Sequence, residues 1–407
     1  MPSNETFVIV GASLTGAKAA EHLRTEGFDG RIVLIGAESD LPYERPPLSK
    51  DYLRGEVDAS SAFVHEQAYY DDNNIDLRLG TTVETINTDT RTVAAAGMEP
   101  VEYDKLLIAT GAQPRRLNLP GSDLPGIHYL RTLEDSTRLH DALGSAKRLA
   151  VVGAGWIGSE VAASARQMGV EVTLIDMAQT PLQAVVGPEV GAVFADLHRD
   201  HEVDLRLGET IESFLGTDRI TGVRTGSGDI EADLVVVGVG ATPRVELAEA
   251  AGLAVDNGIV ADEFLQTAVD GVYAAGDVVS AKNLGIGKHL RVEHWANAGV
   301  QGELAAKNML GKPTPYDNVP FFFSDQYDLG LEYCGYPTPW DRVVFRGDPA
   351  SREFIAFWLA KDRVVAAMNV NIWDVNDALQ EIIKAARPAD DARLADPLVP
   401  LDEVLAK

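Results

Sequence analysis

The chain has 407 residues, longer than one ordinary domain, and its 45% hydrophobic content is enough for more than one buried core. Its 62 acidic and 35 basic residues leave a formal charge of −27, which repels nucleic acid and anionic membrane surfaces and also fits simple solubility. A single cysteine, Cys334, excludes an intramolecular disulfide, a CxxC pair and a multi-cysteine metal site, in keeping with a reducing compartment.

The first predicted unit is FVIVGASLTGAKAAEHLRTEGFDGRIVLIGAE, residues 7–38. It reads as a buried strand, a Gly-rich turn, an amphipathic helix and a second buried strand ending in Glu38. No basic segment with a longer apolar run precedes Phe7, so no signal peptide is expected. No apolar stretch approaches the roughly 18 residues of a membrane span, and a cytoplasmic location is expected. In the turn, Gly11, Ser13 and Gly16 make a GxSxxG cradle. The first Gly permits the tight turn, a small second residue lets the backbone approach a pyrophosphate, and the helix N-terminus supplies amide hydrogens and a positive dipole end. Ser13 departs from the usual second Gly and narrows the approach. Glu38, 22 residues after Gly16, is placed to accept from a ribose hydroxyl pair.

A long motif, Pro42-Tyr43-Glu44-Arg45-Pro46-Pro47-Leu48-Ser49-Lys50, comes next. Then follow IDLRLGTTVETI (75–86) and a return strand, DKLLIATGA (104–112), that ends in Gly111.

The plan then repeats. RLAVVGAGWIGSEVAASARQMGVEVTLIDMA (148–178) is again strand, turn, helix and strand, with a complete cradle at Gly153, Gly155 and Gly158 and an acid, Asp176, at the end of the second strand. VDLRLGETIESF (203–214) echoes 75–86, and ADLVVVGVGA (232–241), with Gly238 and Gly240, echoes 104–112. Matches at three landmarks in the same order identify two related dinucleotide-binding domains. A carboxylate at Asp176 hydrogen-bonds the adenosine ribose hydroxyls and repels a 2′-phosphate. The following Met177-Ala178-Gln179-Thr180 holds no Arg or Lys, so NADH is favoured over NADPH.

Two further signatures are Tyr273-Ala274-Ala275-Gly276-Asp277, a strand ending in Gly-Asp, and Glu293-His294-Trp295-Ala296-Asn297-Ala298, which precedes an Ala-rich helix. From about residue 319 the pattern changes to aromatic, alternating strands, followed by a helix near 374–387 and a Pro/Asp-rich tail. That is a separate α+β module. No His/Asp/Glu cluster suggests a metal, isolated histidines such as His294 read as structural, and Cys334 reads as packing in an aromatic strand.

Together these motifs closely resemble the single-chain ferredoxin/rubredoxin reductases that serve bacterial oxygenases and cytochromes P450, a branch of the glutathione-reductase-like flavoproteins. The resemblance covers essentially the whole chain. It implies an α/β fold of two Rossmann-like domains plus a C-terminal α+β domain: an FAD-binding domain from 1–113 and 242–318, an NAD-binding domain over 114–241, and a C-terminal domain over 319–407. It assigns FAD to Gly11, Ser13, Gly16, Glu38, Arg45, Lys50, Val83, Thr110, Gly111, Arg131, Gly276, Asp277, Trp295 and Ala296. It assigns NADH to Gly153, Gly155, Ile157, Gly158, Glu160, Asp176, Gly238 and Gly240. Within these sets, Asp277 reaches the ribityl chain, Val83 meets the adenine through its backbone, and Lys50 lies near the flavin N5 edge and pairs with Glu160 beside the nicotinamide. Lys50 and Glu160 are the expected catalytic pair.

The implied activity is NADH oxidation through FAD, with electrons passed to a [2Fe-2S] ferredoxin or a rubredoxin that feeds a P450 or oxygenase. Disulfide reductases of the wider group carry a redox cysteine pair near the flavin, where this chain has Pro46-Pro47. Electrons are therefore expected to leave without a protein thiol. An NADH oxidase or monodehydroascorbate-type reductase, or a non-enzymatic redox-sensing flavoprotein, are the alternatives. An acidic partner would need a local basic patch or an apolar contact, for which Arg291, Arg342, Arg346 and Arg352 are candidates.

Overall fold

The computed structural model describes residues 3–336 and 339–405. The chain divides into two compact units. One comprises Met1–Glu44, Ala59–Gln113 and Thr242–Pro320; the other comprises Arg45–Asp58, Pro114–Ala241 and Phe321–Lys407.

The first unit is built on a five-stranded parallel sheet in the order Val272–Ala274, Lys105–Ile108, Thr6–Val10, Arg31–Ile35, Ile75–Arg78. Val8, Ile9, Val33, Leu34, Leu106 and Leu107 are fully buried, as parallel strands covered on both faces require. The strand that was expected to run to Glu38 stops at Ile35. There Gly36 carries the chain past Ala12, whose Cβ would lie 2.6 Å from any side chain at that position. A three-stranded antiparallel sheet, Val83–Asn87, Thr92–Ala95 and Met98–Glu102, forms the excursion between Ile75–Arg78 and Lys105–Ile108.

The second unit contains a sheet of the same order: Ile127–His128, Leu234–Val237, Arg148–Val152, Glu171–Asp176, Asp204–Leu207, parallel where paired. Its antiparallel excursion is Ile211–Gly216, Ile220–Thr225 and Gly228–Glu231. The two sheets differ in one edge strand: Val272–Ala274 comes late in the chain in the first, and Ile127–His128 comes ahead of the others in the second.

The second unit also holds the C-terminal module, an antiparallel sheet in the order Phe321–Gln326, Leu329–Gly335, Arg363–Val370, Glu353–Ala360, Arg342–Asp348, followed by the helix Asn376–Ala385. Its buried face packs on the helix Gln183–Asp200 through Val186, Val190, Phe194, Tyr333 and Trp358. That helix breaks at Gly187, where φ is 79°. The Trp358 indole N–H donates to the carbonyl of Val186 at 3.0 Å, and the Trp340 ring comes within 2.9 Å of where a Cβ on Gly187 would be. The break is thus gripped by two aromatic side chains. Trp156, at the start of the second cradle helix, meets Phe322 with ring centroids 4.7 Å apart. This contact seats the first strand of the C-terminal module against the cradle helix. No helix among the described residues is long and apolar enough to cross a membrane.

Candidate cofactor and nucleotide sites

Both cradles have the geometry of a dinucleotide site. In the first, a Cβ on Gly11 would lie 2.1 Å from the Ala109 carbonyl oxygen, and one on Gly16 would lie 2.0 Å from that of Gly11. In the second, a Cβ on Gly153 would meet the Gly238 oxygen at 2.4 Å, and one on Gly158 would meet the Gly153 oxygen at 1.8 Å. Internal packing therefore demands the outer glycines. The middle position is different, because a Cβ on Gly155 would meet nothing within 4 Å. A small residue there serves approach from outside the chain, as a pyrophosphate requires. Ser13 holds the same place in the first cradle in extended backbone, and its side chain makes no cap bond.

The two cradle helices, Leu14–Thr25 and Trp156–Gln167, and the helix Trp295–Met309 begin without a side-chain cap and without an acid in the first turn, as do Gln67–Asp72 and Gln183–Asp200, which follow no glycine cradle. By contrast, the helix Leu133–Leu143 has a capping box between Thr132 and Asp135, with Glu134 and Asp135 in its first turn. The uncapped starts leave amide hydrogens and a positive dipole end to meet an anion. The residues present therefore fit two dinucleotides.

In the first unit the predicted FAD residues gather on few elements. Thr110 adjoins Gly11, with its backbone nitrogen 3.1 Å from a Cβ there, and its hydroxyl donates to the Arg244 carbonyl at 2.8 Å. Gly111 has φ of 68° and accepts from the Arg244 N–H. Gly276, φ 80°, leaves no room for a side chain because Thr15 Oγ1 would lie 2.5 Å from it, and its N–H donates to Gln301 at 2.7 Å. Asp277 follows it, ahead of the helix that starts at Trp295 and Ala296. Glu38 accepts from the Tyr43 hydroxyl, so the start of the PYERPPLSK motif holds this acid. Val83 is buried at the start of its strand. Arg45, Lys50 and Arg131 fall in the second unit, where the Arg45 guanidinium donates to the Arg131 carbonyl.

In the second unit, Asp176 accepts from the Ala154 N–H at 2.6 Å and the Ala178 N–H at 2.7 Å. The acid is thereby clamped against the cradle. Ile157 projects from the first turn of the helix, about half exposed. The Gly238 N–H donates to the Val152 carbonyl, and Gly240, φ 97°, accepts from the Arg115 N–H.

Lys50 and Glu160 meet in the same unit. Lys50 Nζ is 3.0 Å from Glu160 Oε2, and both side chains are more than nine-tenths buried. Lys50 also donates to the Pro46 carbonyl at 3.2 Å and lies 5.5 Å from the centre of the Phe323 ring. Two hydroxyls complete the carboxylate shell: Ser49 Oγ donates to Oε2 at 2.5 Å and Ser324 Oγ to Oε1 at 2.6 Å. Neither serine was among the residues expected from sequence. Ser49 stands inside the PYERPPLSK motif, whereas Ser324 carries only a weak sign, a hydroxyl at an inward position of an aromatic strand.

The arginines considered for partner docking are engaged within the chain. Arg342 binds Asp391 and Asp362, Arg346 donates to the carbonyls of Pro397 and Val399, Arg352 pairs with Asp200, and Arg291 pairs with Glu293. Cys334 is fully buried, and burial pushes its thiol up to about 12. No group of three or more metal-ligating side chains occurs among the described residues.

The chain resembles known proteins along nearly its whole length. The pyridine nucleotide-disulphide oxidoreductase family model matches residues 5–302, and a reductase C-terminal domain model matches 321–405. The chain is 42% identical to the ferredoxin–NAD(+) reductase component of the anthranilate 1,2-dioxygenase system of Burkholderia cepacia, covering 99% of this chain and 100% of that one. It is 38% identical to putidaredoxin reductase of Pseudomonas putida, covering 100% and 98%. The reductase in a covalent putidaredoxin reductase–putidaredoxin complex superposes with a TM-score of 0.94 at 38% identity, covering 99% and 98%.

Proposed function

Since the chain belongs to the pyridine nucleotide-disulphide oxidoreductases, and among them to the FAD-dependent ferredoxin/rubredoxin–NAD(+) reductases, we propose that it oxidises NADH and delivers single electrons to a small iron–sulfur protein, a [2Fe-2S] ferredoxin or a rubredoxin, that serves a cytochrome P450 or other oxygenase in the cytoplasm. The observation that carries this reading is the pair of cradles combined with a lone cysteine buried in the C-terminal module. Two dinucleotides are accommodated, and no accessible thiol can relay electrons.

Gly11, Ser13 and Gly16 would hold the FAD pyrophosphate, Glu38 its ribose and Asp277 its ribityl chain. When bound, FAD supplies the conversion of a two-electron hydride donor into a one-electron source. Gly153, Gly155 and Gly158 bind the NADH pyrophosphate, Asp176 selects the unphosphorylated ribose, and Glu160 with Lys50 serves the nicotinamide end. The uncapped start of Trp295–Met309 offers amide hydrogens to the negative charge that hydride transfer brings. Lys50 balances charge, and its pairing with Glu160 keeps a buried cation solvated by the protein.

A panel of acceptors tests the proposal. Steady-state NADH oxidation is measured with ferredoxins, a rubredoxin, a quinone and dioxygen, and the iron–sulfur proteins are expected to be the fastest acceptors.

A further inference from the structure

The shell of Glu160 extends into a part of the chain with no nucleotide motif. Glu160 lies two residues beyond Gly158 on the helix Trp156–Gln167. Ser49 and Lys50 reach it from the PPLSK segment. That segment is fixed to the same helix a second time, because Ser164 Oγ donates to the Ser49 carbonyl at 2.7 Å. It is fixed again from the helix Leu133–Leu143, where Ser136 Oγ donates to the Leu48 carbonyl at 2.7 Å. Ser324 comes from the C-terminal module. In its strand, Phe322, Ser324 and Gln326 are the buried inward positions, and a hydroxyl replaces apolar bulk beside Phe322. A hydroxyl has one hydrogen to give, and that of Ser324 goes to Glu160.

We propose that Ser324 and Ser49 are positioning residues for hydride transfer. They hold the Glu160 carboxylate in the rotamer that faces Lys50, and through Ser324 the C-terminal module becomes part of the NADH-handling machinery. The proposal rests on the reading that Lys50 and Glu160 serve the nicotinamide. Charge-assisted hydrogen bonds from two directions restrict a carboxylate that one cation alone leaves free to rotate. A small displacement of a catalytic side chain is enough to slow a step governed by orientation.

The test uses the FAD-loaded enzyme mixed anaerobically with NADH, with flavin reduction resolved into a limiting rate and an NADH dissociation constant. NAD(+) affinity by equilibrium titration and the thermal unfolding midpoint are measured beside it. Ser324→Ala and Ser49→Ala are each expected to lower the limiting rate by about threefold to tenfold, with nucleotide affinities within about twofold of the parent. Ser324→Thr, which keeps the hydroxyl, is expected to recover the rate. In a Lys50→Met/Glu160→Leu background, Ser324→Ala is expected to change nothing further, since there is no carboxylate left to hold.

A limiting rate for Ser324→Ala within about twofold of the parent overturns the proposal. So does a loss of the same factor in the Lys50→Met/Glu160→Leu background, which would mark a general packing defect. An unchanged rate in that background enzyme itself removes the pair from hydride transfer, and the underlying reading fails with it. Should Ser324→Ala fail to fold with FAD, Ser49→Ala carries the same comparison.

Discussion

The Ala154 N–H donates to the carboxylate of Asp176 at 2.6 Å, tying the acid at the end of one strand to the backbone of the second cradle. A second bond, from the Ala178 N–H, holds the other oxygen. In the proposed NADH site, an acid so fixed has lone pairs left for ribose hydroxyls and a charge that repels a 2′-phosphate. Met177 beside it is about three-quarters exposed and brings no cation. Asp176→Ala combined with Met177→Arg is expected to shift the NADPH-to-NADH preference by about a hundredfold. Asp176→Ala alone is expected to weaken both nucleotides, because the Ala154 and Ala178 amides lose their acceptor. The ratio of kcat/KM values decides this, and a parent enzyme that uses both nucleotides equally would contradict it.

Lys50 and Glu160 are a buried ion pair, and such pairs are asymmetric in their energetics. Removing one partner strands the other charge at a cost of about 3–5 kcal/mol, whereas replacing both by apolar groups is often near neutral. Glu160→Leu is therefore expected to lower the unfolding midpoint, and Lys50→Met/Glu160→Leu to bring it back. Flavin reduction by NADH is expected to stay slow in both. Recovery of stability without recovery of rate separates the chemical role of the pair from its structural one.

Cys334 offers a test of thiol-free electron flow. Its burial and its thiol, pushed up to about 12, predict negligible alkylation by iodoacetamide in the folded enzyme and rapid alkylation after denaturation. Cys334→Ala is expected to keep NADH-to-acceptor turnover within about twofold, at a stability cost of about 1 kcal/mol from the small cavity. Loss of turnover at unchanged stability would assign the thiol a redox role.

His198 predicts an acid-sensitive stability. It is fully buried with Nδ1 3.3 Å from the Tyr327 hydroxyl, and burial, with neighbouring His201 acting the same way, pushes its pKa down to about 4. The unfolded chain binds a proton near 6.5 that the folded state refuses. The stability contribution is thus complete above about 6.5 and is lost as pH falls from there toward 4, at up to about 1.4 kcal/mol per unit. His198→Gln is expected to flatten the decline of the unfolding midpoint across that window. An unaltered slope would show that other groups govern it.

What the sequence disclosed and what it hid have physical reasons. Each cradle was legible because its outer glycines are imposed by backbone approaches within a few residues of sequence and one neighbouring strand, as at Gly158 against Gly153 and Gly11 against Ala109. The parallel sheets were legible because strands covered on both faces must be apolar throughout. The strand end near Glu38 was placed late, since apolar pattern does not register where hydrogen bonding to a neighbour stops. Ser324 was hidden because its partner lies 164 residues away and a serine in a strand has no distinguishing pattern. The arginines looked available for docking for the same reason: Arg352 finds Asp200 and Arg342 finds Asp391 only in the folded chain.

Single-electron delivery from NADH through FAD to an iron–sulfur protein is measured by anaerobic sequential mixing. The enzyme is first reduced with one equivalent of NADH and then mixed with oxidised [2Fe-2S] ferredoxin or rubredoxin, while flavin and iron–sulfur absorbance are followed together. Two equivalents of acceptor are expected to be reduced per NADH, with reoxidation by the acceptor about a hundredfold or more faster than by dioxygen. Reoxidation by dioxygen or a quinone as fast as by every iron–sulfur protein tried would contradict that delivery.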